Sequence, residues 1–313
     1  MIHTQLDSVP VRVPVSADPT VLLQRGRPLL VDEWQKVPEV WDVIRHAVDD
    51  DPGGGQFLLA GSAAPREGAI AHSGAGRIGR LRMRPMTPSE RGLDVPTVSL
   101  RGLLSGGRAS LGGHTGVVLA DCTEEIVASG FPGMRGLRPR ARRFQLDSYL
   151  RNAVDRDVPE QGLAVRRAEA MMAWLRAYAA ATSGTASYSR ILDAATPGQS
   201  DKPARSTSEA YRNVLALLWR LDPVPAWEPG DSLLTRLGRA PRHHLADPAL
   251  AARLLGLTPA WLLGGDGAPL GSRAGGMLGA LFESLATLCV RVSAQAAEAD
   301  VRHQHRSRGV PAQ

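Results

Sequence analysis

The sequence predicts an α/β fold that continues into a helical region. Two continuous apolar runs, Leu29–Val31 and Phe57–Ala60, have the length and composition of buried strands. Between them, apolar residues recur at helical spacing from Trp34 to Val48, with Pro38 near the first turn. A strand, a helix and a second strand with short connections predict two parallel strands in an α/β layer.

The remainder of the first hundred residues carries weaker signals. Residues 1–27 predict only one short β-like segment, Val11–Val15, and a further strand is expected around Leu81 and Met83. Residues 90–113 are rich in Gly and Ser, which predicts a loop with a short strand.

The rest of the chain reads mainly as helices. In the segment Ser206–Leu221, Ser206 is an N-cap candidate and Glu209 follows three residues later, which is a capping-box pattern. Two strand-like segments, Pro223–Trp227 and His243–Asp247, follow it, and three helices before two strands is the order of a winged helix. The predicted helices are 121–129, 144–157, 165–181, 188–195, 206–221 and 277–297.

The composition is that of a globular protein with room for about two domains. The chain has 313 residues, of which 43% are hydrophobic and 22% charged, and its formal net charge is +6. Nearly all of the positive charge is arginine, which fits a GC-rich coding sequence, so the basic balance permits nucleic-acid contact without demonstrating it.

The compartment is predicted to be the cytoplasm. Cys122 and Cys289 lie far apart without metal-ligand spacing, so both are expected to be reduced packing residues. We identify no apolar run of about 20 residues and no secretory signal in the first 20 residues, so no membrane partner is predicted.

Acidic and hydroxyl side chains follow the two strands. Asp32 and Glu33 end the first, where ligands of α/β sheets gather, and Ser62 closes the second. In a nucleotidase, Asp32 would hold Mg²⁺ through a water, Glu33 would polarise the attacking water, and Ser62 would sense the γ-phosphate. The alternative is a capped strand end with two solvated acids and a turn serine.

The expected phosphate-binding loop is missing, because no G-x-x-x-x-G-K-[ST] motif occurs in the chain. Its amides and lysine would make most contacts to the β- and γ-phosphates. A glycine-rich segment, His72–Arg80, supplies Arg77 and, as second choice, Arg80 as candidates for stabilising transition-state charge across a subunit boundary. Equally, these arginines could be solvated or paired with local acids.

Other polar residues carry weaker hypotheses. In the winged-helix candidate, Arg212 lies on the recognition helix and Arg205 and Lys202 precede it, so contact with DNA or with protein is open. His243, His244 and Asp247 lack the spacing of a closed zinc site and are expected to be structural. Glu283, inside an apolar helix, is either functional or at the solvent rim.

Together these residues resemble bacterial and archaeal AAA+ ATPases whose C-terminal half is domain of unknown function family 4143. The matching stretches are 29–35, 55–63, 72–90, 130–132, 149–160, 196–211, 243–255 and 278–292. The resemblance implies ATP and Mg²⁺ as ligands, Asp32 and Glu33 as the Walker B acids, Ser62 as the sensor and Arg77 as the core-closing arginine. It also implies a homo-oligomer, by analogy with arginine fingers that act between subunits.

The resemblance divides the chain into four segments and leaves both ends short of the family pattern. They are a truncated ATPase core (1–95), a helical connection (96–160), a winged-helix-like domain (161–255), and a final helix and tail (256–313) that would be the remnant of a restriction-endonuclease-like domain. The expectation is an ATP-binding protein with impaired hydrolysis. The alternative is a winged-helix DNA- or protein-binding module whose ATPase half is a relic.

Overall fold

The computed structural model describes residues 1–64, 74–107, 112, 114–164, 167–196, 204–227, 240–264 and 272–304. They form two compact units: Met1–Met83 with Val214–Trp219, and Arg84–Asn213 with Arg220–Gln313. The four-segment division of the chain stays a prediction.

The first unit holds a parallel sheet with helices between its strands. Its elements are β1 (Ile2–Gln5), α1 (Val9–Ala17), a 3₁₀ turn (Pro19–Gln24), β2 (Leu29–Asp32), a 3₁₀ turn (Trp34–Lys36), α2 (Val40–Asp50) and β3 (Phe57–Ala60). The sheet order is β1-β2-β3, so β2 is the central strand and both ladders are parallel. The prediction of two parallel strands is confirmed, and the unpredicted β1 adds a third.

The Val11–Val15 strand prediction is wrong, because this segment lies within α1. Its valines suggested a strand, but Pro10 occupies the first turn, where its missing N–H costs nothing. The strand is Ile2–Gln5 instead, with Thr4 buried and its neighbours exposed. No apolar run marks it, because His3, Thr4 and Gln5 are polar.

The core of the first unit lies between the sheet and α2. Leu29 and Val31 are fully buried, and the rings of Trp34 and Trp41 stack with centroids 5.2 Å apart. α2 begins at Val40 rather than at Trp34 because Pro38 interrupts the segment, and Trp41 and Ile44 face the core. Burial of these large side chains fixes α2 against β2.

The second unit is mainly helical. Its elements are α3 (Leu100–Leu104), α4 (Leu119–Ala128), α5 (Pro132–Arg135), α6 (Pro139–Asn152), a π turn (Ala153–Asp157), α7 (Val158–Glu160), α8 (Ala168–Ala180), α9 (Tyr188–Ala195), α10 (Arg205–Leu217), β4 (Ala226–Trp227), α11 (Pro248–Leu254), α12 (Pro259–Leu262), α13 (Ser272–Ala296) and β5 (His303–Gln304). The four last residues of α10 belong to the first unit.

Most predicted helices are present with shifted ends. α9 has the predicted bounds, whereas α6 begins at Pro139, five residues before the predicted start at Phe144. Ser206 lies inside α10, not at its N-cap, because the helix begins at Arg205. Residues 81–83 form no strand, and the short element near residue 100 is the helix α3.

The two segments predicted as wing strands pair only at their edges, because the bridges join residues 221–224 to residues 242–245. Val224 and Arg242 exchange backbone hydrogen bonds of 2.9 Å in both directions, and the Asp222 amide donates to the His244 carbonyl at 2.8 Å. These are isolated antiparallel bridges, while Ala226–Trp227 pairs in parallel with β5. Residues 228–239 between them, and the predicted loop 197–203, lie outside the described residues. The winged-helix assignment itself stays a prediction.

One helix among the described residues is long and apolar enough to cross a membrane, judged by length and composition alone. This stretch, Gly275–Ala296, has a mean hydropathy of 1.4 and is one-third buried. Its buried leucines (Leu278, Leu281, Leu285 and Leu288) recur every three or four residues, as on the core-facing side of a globular helix. The absence of a membrane partner stays a prediction.

A buried polar network surrounds Asp222 in the second unit. Its carboxylate accepts a 2.8 Å hydrogen bond from Arg84 and pairs with Arg291 at 3.0 Å. His244, 3% exposed, lies beside this network, and its Nδ1 is 3.1 Å from the Ser284 hydroxyl. Burial lowers the pKa of His244 to about 4, and the Arg291 charge also lowers it, against the opposing effect of Asp222.

We expect this histidine to make the stability of the second unit pH-dependent. The folded-state pKa lies below the usual value of 6.5, so the unfolded chain binds more protons between these two pH values. The stabilisation of the folded state by neutral His244 is complete above pH 6.5 and is lost as the pH falls toward 4. The total loss amounts to about 3 kcal/mol. Urea unfolding of the chain at pH 7.5 and at pH 5 should show about 2 kcal/mol of this loss, because the loss is complete only below pH 4.

The control is His244→Gln, which cannot take up a proton. It should unfold with a smaller loss of stability between the two pH values, whatever its absolute stability. Burial also lowers the pKa of His243, so part of the pH dependence should persist in this variant. An unchanged pH dependence in His244→Gln would contradict the assignment.

Candidate functional site

The candidate site lies at the carboxyl edge of the sheet in the first unit. Asp32 is the last residue of β2 and is in register with Gln5 of β1 and Ala60 of β3. The residues that follow these strands therefore start from the same edge. The register brings together the predicted residues Asp32, Glu33 and Ser62.

Glu33 adopts a left-handed backbone conformation, with φ 54° and ψ 37°. This conformation costs an ordinary residue about 1 kcal/mol or more, because its Cβ crowds the backbone. It ends β2 abruptly and starts the turn Trp34–Lys36, whose Lys36 amide donates to the Glu33 carbonyl at 3.0 Å.

The Glu33 carboxylate forms a hydrogen-bonded triangle with Gln35 and Ser62. Its Oε2 accepts from Gln35 Nε2 at 2.6 Å and from the Ser62 hydroxyl at 3.2 Å. The same Gln35 Nε2 also donates to Ser62 Oγ at 3.3 Å. The ends of β2 and β3 are thus joined through side chains as well as through their ladder.

Gly61 leaves the space that Gln35 occupies. A Cβ at position 61 would collide with Gln35 Oε1, and that oxygen is buried with no hydrogen-bond partner among the described residues. The flexible side chain could move aside, but it would then leave Glu33 and Ser62. Gly61 therefore allows Gln35 to orient the acid and the hydroxyl.

Asp32 carries the second carboxylate of the site. Its Oδ1 accepts from the Glu33 amide at 3.1 Å, and its Oδ2 lies 3.6 Å from Nε2 of His3. The Asp32 side chain is 33% exposed, so solvent or a ligand can reach it. His3 comes from β1, and all three strands therefore contribute to this edge.

Arg77 lies elsewhere in the first unit. Its guanidinium forms an ion pair with Asp49 in the last turn of α2, and hydrogen bonding from Arg77 lowers the pKa of Asp49. α2 starts after the carboxyl end of β2 and returns toward the start of β3, so Asp49 lies at the opposite edge of the sheet. The predicted site therefore does not include Arg77 in this structure.

Two of the other predicted arginines lie over aromatic rings. Arg80 lies over the Trp41 ring, 5.8 Å from its centroid, and Arg212 lies over the Tyr188 ring at 4.8 Å. Lys202, and His72 of the segment that holds Arg77, lie outside the described residues. Arg205 is exposed at the start of α10.

The remaining polar candidates make contacts within the second unit. His243 Nε2 is 2.7 Å from the Ala186 carbonyl, and Asp247 caps α11 while accepting from Ser129 and Gly130. Glu283 is paired with Arg242. No group of three or more His, Cys, Asp or Glu side chains that could hold a metal ion occurs among the described residues.

The donor set at Asp32 and Glu33 fits a magnesium ion bound together with a nucleotide. Mg²⁺ prefers oxygen ligands, and it is usually held by one or two carboxylates, several waters and substrate phosphates. Two carboxylates and one hydroxyl are available here, without a closed protein cage. Lys36, exposed three residues after Glu33, is the nearest lysine or arginine along the chain.

Sequence reasoning missed Gln35 and His3. Gln35 had a readable signal, because it is a polar side chain two residues after the paired acids in Asp32-Glu33-Trp34-Gln35. His3 had none, because the strand that carries it was not predicted.

Two family models match parts of the chain. A family model described as an AAA domain matches residues 11–91, which include Asp32, Glu33, Ser62 and Arg77. A second family model, a domain of unknown function (DUF8612), matches residues 119–260. No curated protein and no solved structure shows significant similarity to the chain.

Residues 11–91 thus relate this chain to the AAA-type, ATPase-like proteins. The helical region carries the match to domain of unknown function 8612, and its relation to family 4143 stays a prediction.

The backbone of Glu33 gives a direct test of its left-handed conformation. We expect Glu33→Gly to be more stable than Glu33→Ala by about 1 kcal/mol, because glycine adopts positive φ without strain. Both variants remove the same carboxylate contacts, so their difference isolates the backbone. Urea unfolding of the two variants measures it.

A matched pair at Glu39, exposed with φ −61° at the N-cap of α2, provides the control. There Glu39→Gly should not be more stable than Glu39→Ala, because glycine has no advantage at negative φ. Equal stabilities of the two Glu33 variants would show that position 33 is not left-handed.

Proposed function

We propose that the first unit binds Mg²⁺-nucleotide, with ATP as the ligand, at the carboxyl edge of its sheet. The observation that carries this proposal is the joining of Glu33, Gln35 and Ser62 beside Asp32 within the region that matches an AAA domain. The match supports the class of protein, and the geometry supports the choice of residues.

Each residue has a role that follows from its contacts. Asp32 would bind Mg²⁺ through a water, since its carboxylate is accessible and makes only two contacts. Glu33 would accept a proton from a water through Oε1, because its Oε2 already accepts from Gln35 and Ser62. Gln35 is a positioning residue that holds the acid and the hydroxyl together.

ATP would supply the γ-phosphoryl group for transfer to that water. In such transfers catalysis comes largely from positioning and charge stabilisation. The chain lacks the glycine-rich loop motif with its lysine, so its phosphate contacts are expected to be few. We therefore propose weak binding of ATP and slow hydrolysis by these 313 residues.

Titration of the chain with a fluorescent ATP analogue and Mg²⁺ tests the proposal. We expect Asp32→Asn to weaken binding about tenfold, which corresponds to one lost charge-assisted contact of about 1.4 kcal/mol. Glu33→Gln should retain binding and lose any hydrolysis. Glu39→Gln is the matched control, since it removes the same charge from an exposed residue of the same segment.

Two outcomes would contradict the proposal. One is an absence of Mg²⁺-dependent binding up to millimolar nucleotide. The other is equal weakening by Glu39→Gln and Asp32→Asn, because the effect would then reflect net charge and not the site.

A second candidate function is a winged-helix contact module in the second unit. It is favoured by the order of α8, α9 and α10 followed by the antiparallel pairing of Val224 with Arg242. α10 would be the recognition helix, with DNA or protein as its partner. Its exposed cation is Arg205, whereas Arg212 is occupied by the Tyr188 ring.

Duplex DNA titration at several salt concentrations tests the DNA form of this candidate. If Arg205 contacts a phosphate, Arg205→Gln should reduce the magnitude of the negative slope of log K against log salt by about 0.9. Arg176→Gln, an exposed arginine on α8, is the control and should leave the slope unchanged. Equal slopes in both variants would remove Arg205 from the interface and favour a protein partner.

We also propose that the helical region is related to family 4143, that the chain forms a homo-oligomer, and that its compartment is the cytoplasm. The oligomer rests on analogy with AAA-type proteins alone, because Arg77 pairs with Asp49 of its own chain.

A further inference from the structure

An arginine cluster lies at the start of α6 in the second unit. Five of the nine residues 135–143 are arginines and none is acidic, whereas arginine makes up about one residue in nine of the chain. We define the arginine cluster as its three exposed members, Arg138, Arg140 and Arg143. Its density exceeds what a general bias toward arginine would produce.

The other two arginines of the segment have internal partners. Arg135 pairs with Glu125 at 2.7 Å, and Arg142 donates to the carbonyls of Leu137 and Arg135 at 3.0 and 3.1 Å. No ion pair or hydrogen bond joins the side chains of the arginine cluster to any described residue. Their charges are therefore available to a partner.

In a second arginine-rich segment, residues 77–84, every arginine has a partner within the protein. Arg77 pairs with Asp49, Arg80 lies over Trp41, Arg82 lies over Trp219 and Arg84 pairs with Asp222. The arginine cluster differs because three like charges remain exposed at one end of a helix. The positive end of the α6 dipole lies at the same place and adds to their potential.

An exposed aromatic ring shares the surface of the cluster. Phe144 is 71% exposed, and it follows Arg140 by four residues and Arg143 by one. Residues at i, i+3 and i+4 lie on one face of a helix, so Arg140, Arg143 and Phe144 form one surface. All three side chains of this surface are exposed to solvent.

We propose that the arginine cluster and Phe144 bind single-stranded nucleic acid. The guanidinium groups would contact successive phosphates, and the Phe144 ring would stack on an unpaired base. A duplex offers phosphates but keeps its base faces stacked inside, so it would leave the ring unused. This inference is independent of the proposed nucleotide site, which lies in the first unit.

The test is fluorescence anisotropy of the full chain with labelled oligo-dT of 20 nucleotides, without ATP, at several salt concentrations. The plot of log K against log salt has a negative slope. The triple variant Arg138→Gln, Arg140→Gln and Arg143→Gln should reduce the magnitude of this slope by about two, at about 0.7 per lost phosphate contact. Phe144→Ala should bind about tenfold more weakly at constant slope.

Two control variants separate this surface from net charge and from misfolding. Arg12→Gln, Arg151→Gln and Arg176→Gln together remove the same charge elsewhere, including from the far end of α6, and should keep the slope. The corresponding triple change to lysine in the arginine cluster should also retain the slope, because it preserves the three charges. Far-UV circular dichroism checks that each variant is folded.

The proposal would be overturned by three results. The first is no binding of oligo-dT at low salt. The second is an equal loss of slope in the control triple variant. The third is a 20-base-pair duplex that binds as tightly as oligo-dT and is unaffected by Phe144→Ala, because the partner would then be a duplex read only through its phosphates.

Discussion

The pairing of β2 with strands on both sides is the constraint on which the candidate site depends. Leu29 and Val31 are fully buried, so a shift of one residue would turn them out of the core and expose a hydrophobic face. The parallel ladders then place Gln5, Asp32 and Ala60 at one edge. Asp32, Glu33 and Ser62 meet there because the buried residues fix the register, and no contact between the polar groups is needed to set it.

The left-handed turn at Glu33 sets the local geometry of the site at the end of β2. The acid that follows β2 leaves the strand direction and accepts hydrogen bonds from Gln35 and Ser62. Two bonds to a carboxylate are together worth a few kcal/mol, which exceeds the cost of about 1 kcal/mol for positive φ. The strained conformation can therefore persist at Glu33 because the neighbouring side chains hold it.

The features that could be predicted from the sequence are those with a continuous or periodic apolar pattern. β2, β3 and the helix of Tyr188–Ala195 were found by their apolar patterns, and the paired acids marked the end of a strand. β1 could not be found, because three of the four residues of Ile2–Gln5 are polar. The Val11–Val15 error has another origin, since short valine-rich segments fit either state until tertiary packing decides between them.

The placement of the arginines could not be predicted, because a guanidinium pairs with whichever carboxylate, carbonyl or ring the fold brings near. Arg77 and Arg84 follow each other within eight residues, yet Arg77 pairs with Asp49 and Arg84 with Asp222, far along the chain. These ion pairs neutralise charge inside the protein and involve no ligand. A net charge of +6 therefore says little by itself, and the informative arginines are those that the fold leaves without an anion. By this criterion, among the described residues, the start of α6 is better suited to a negatively charged partner than the segment near Arg77.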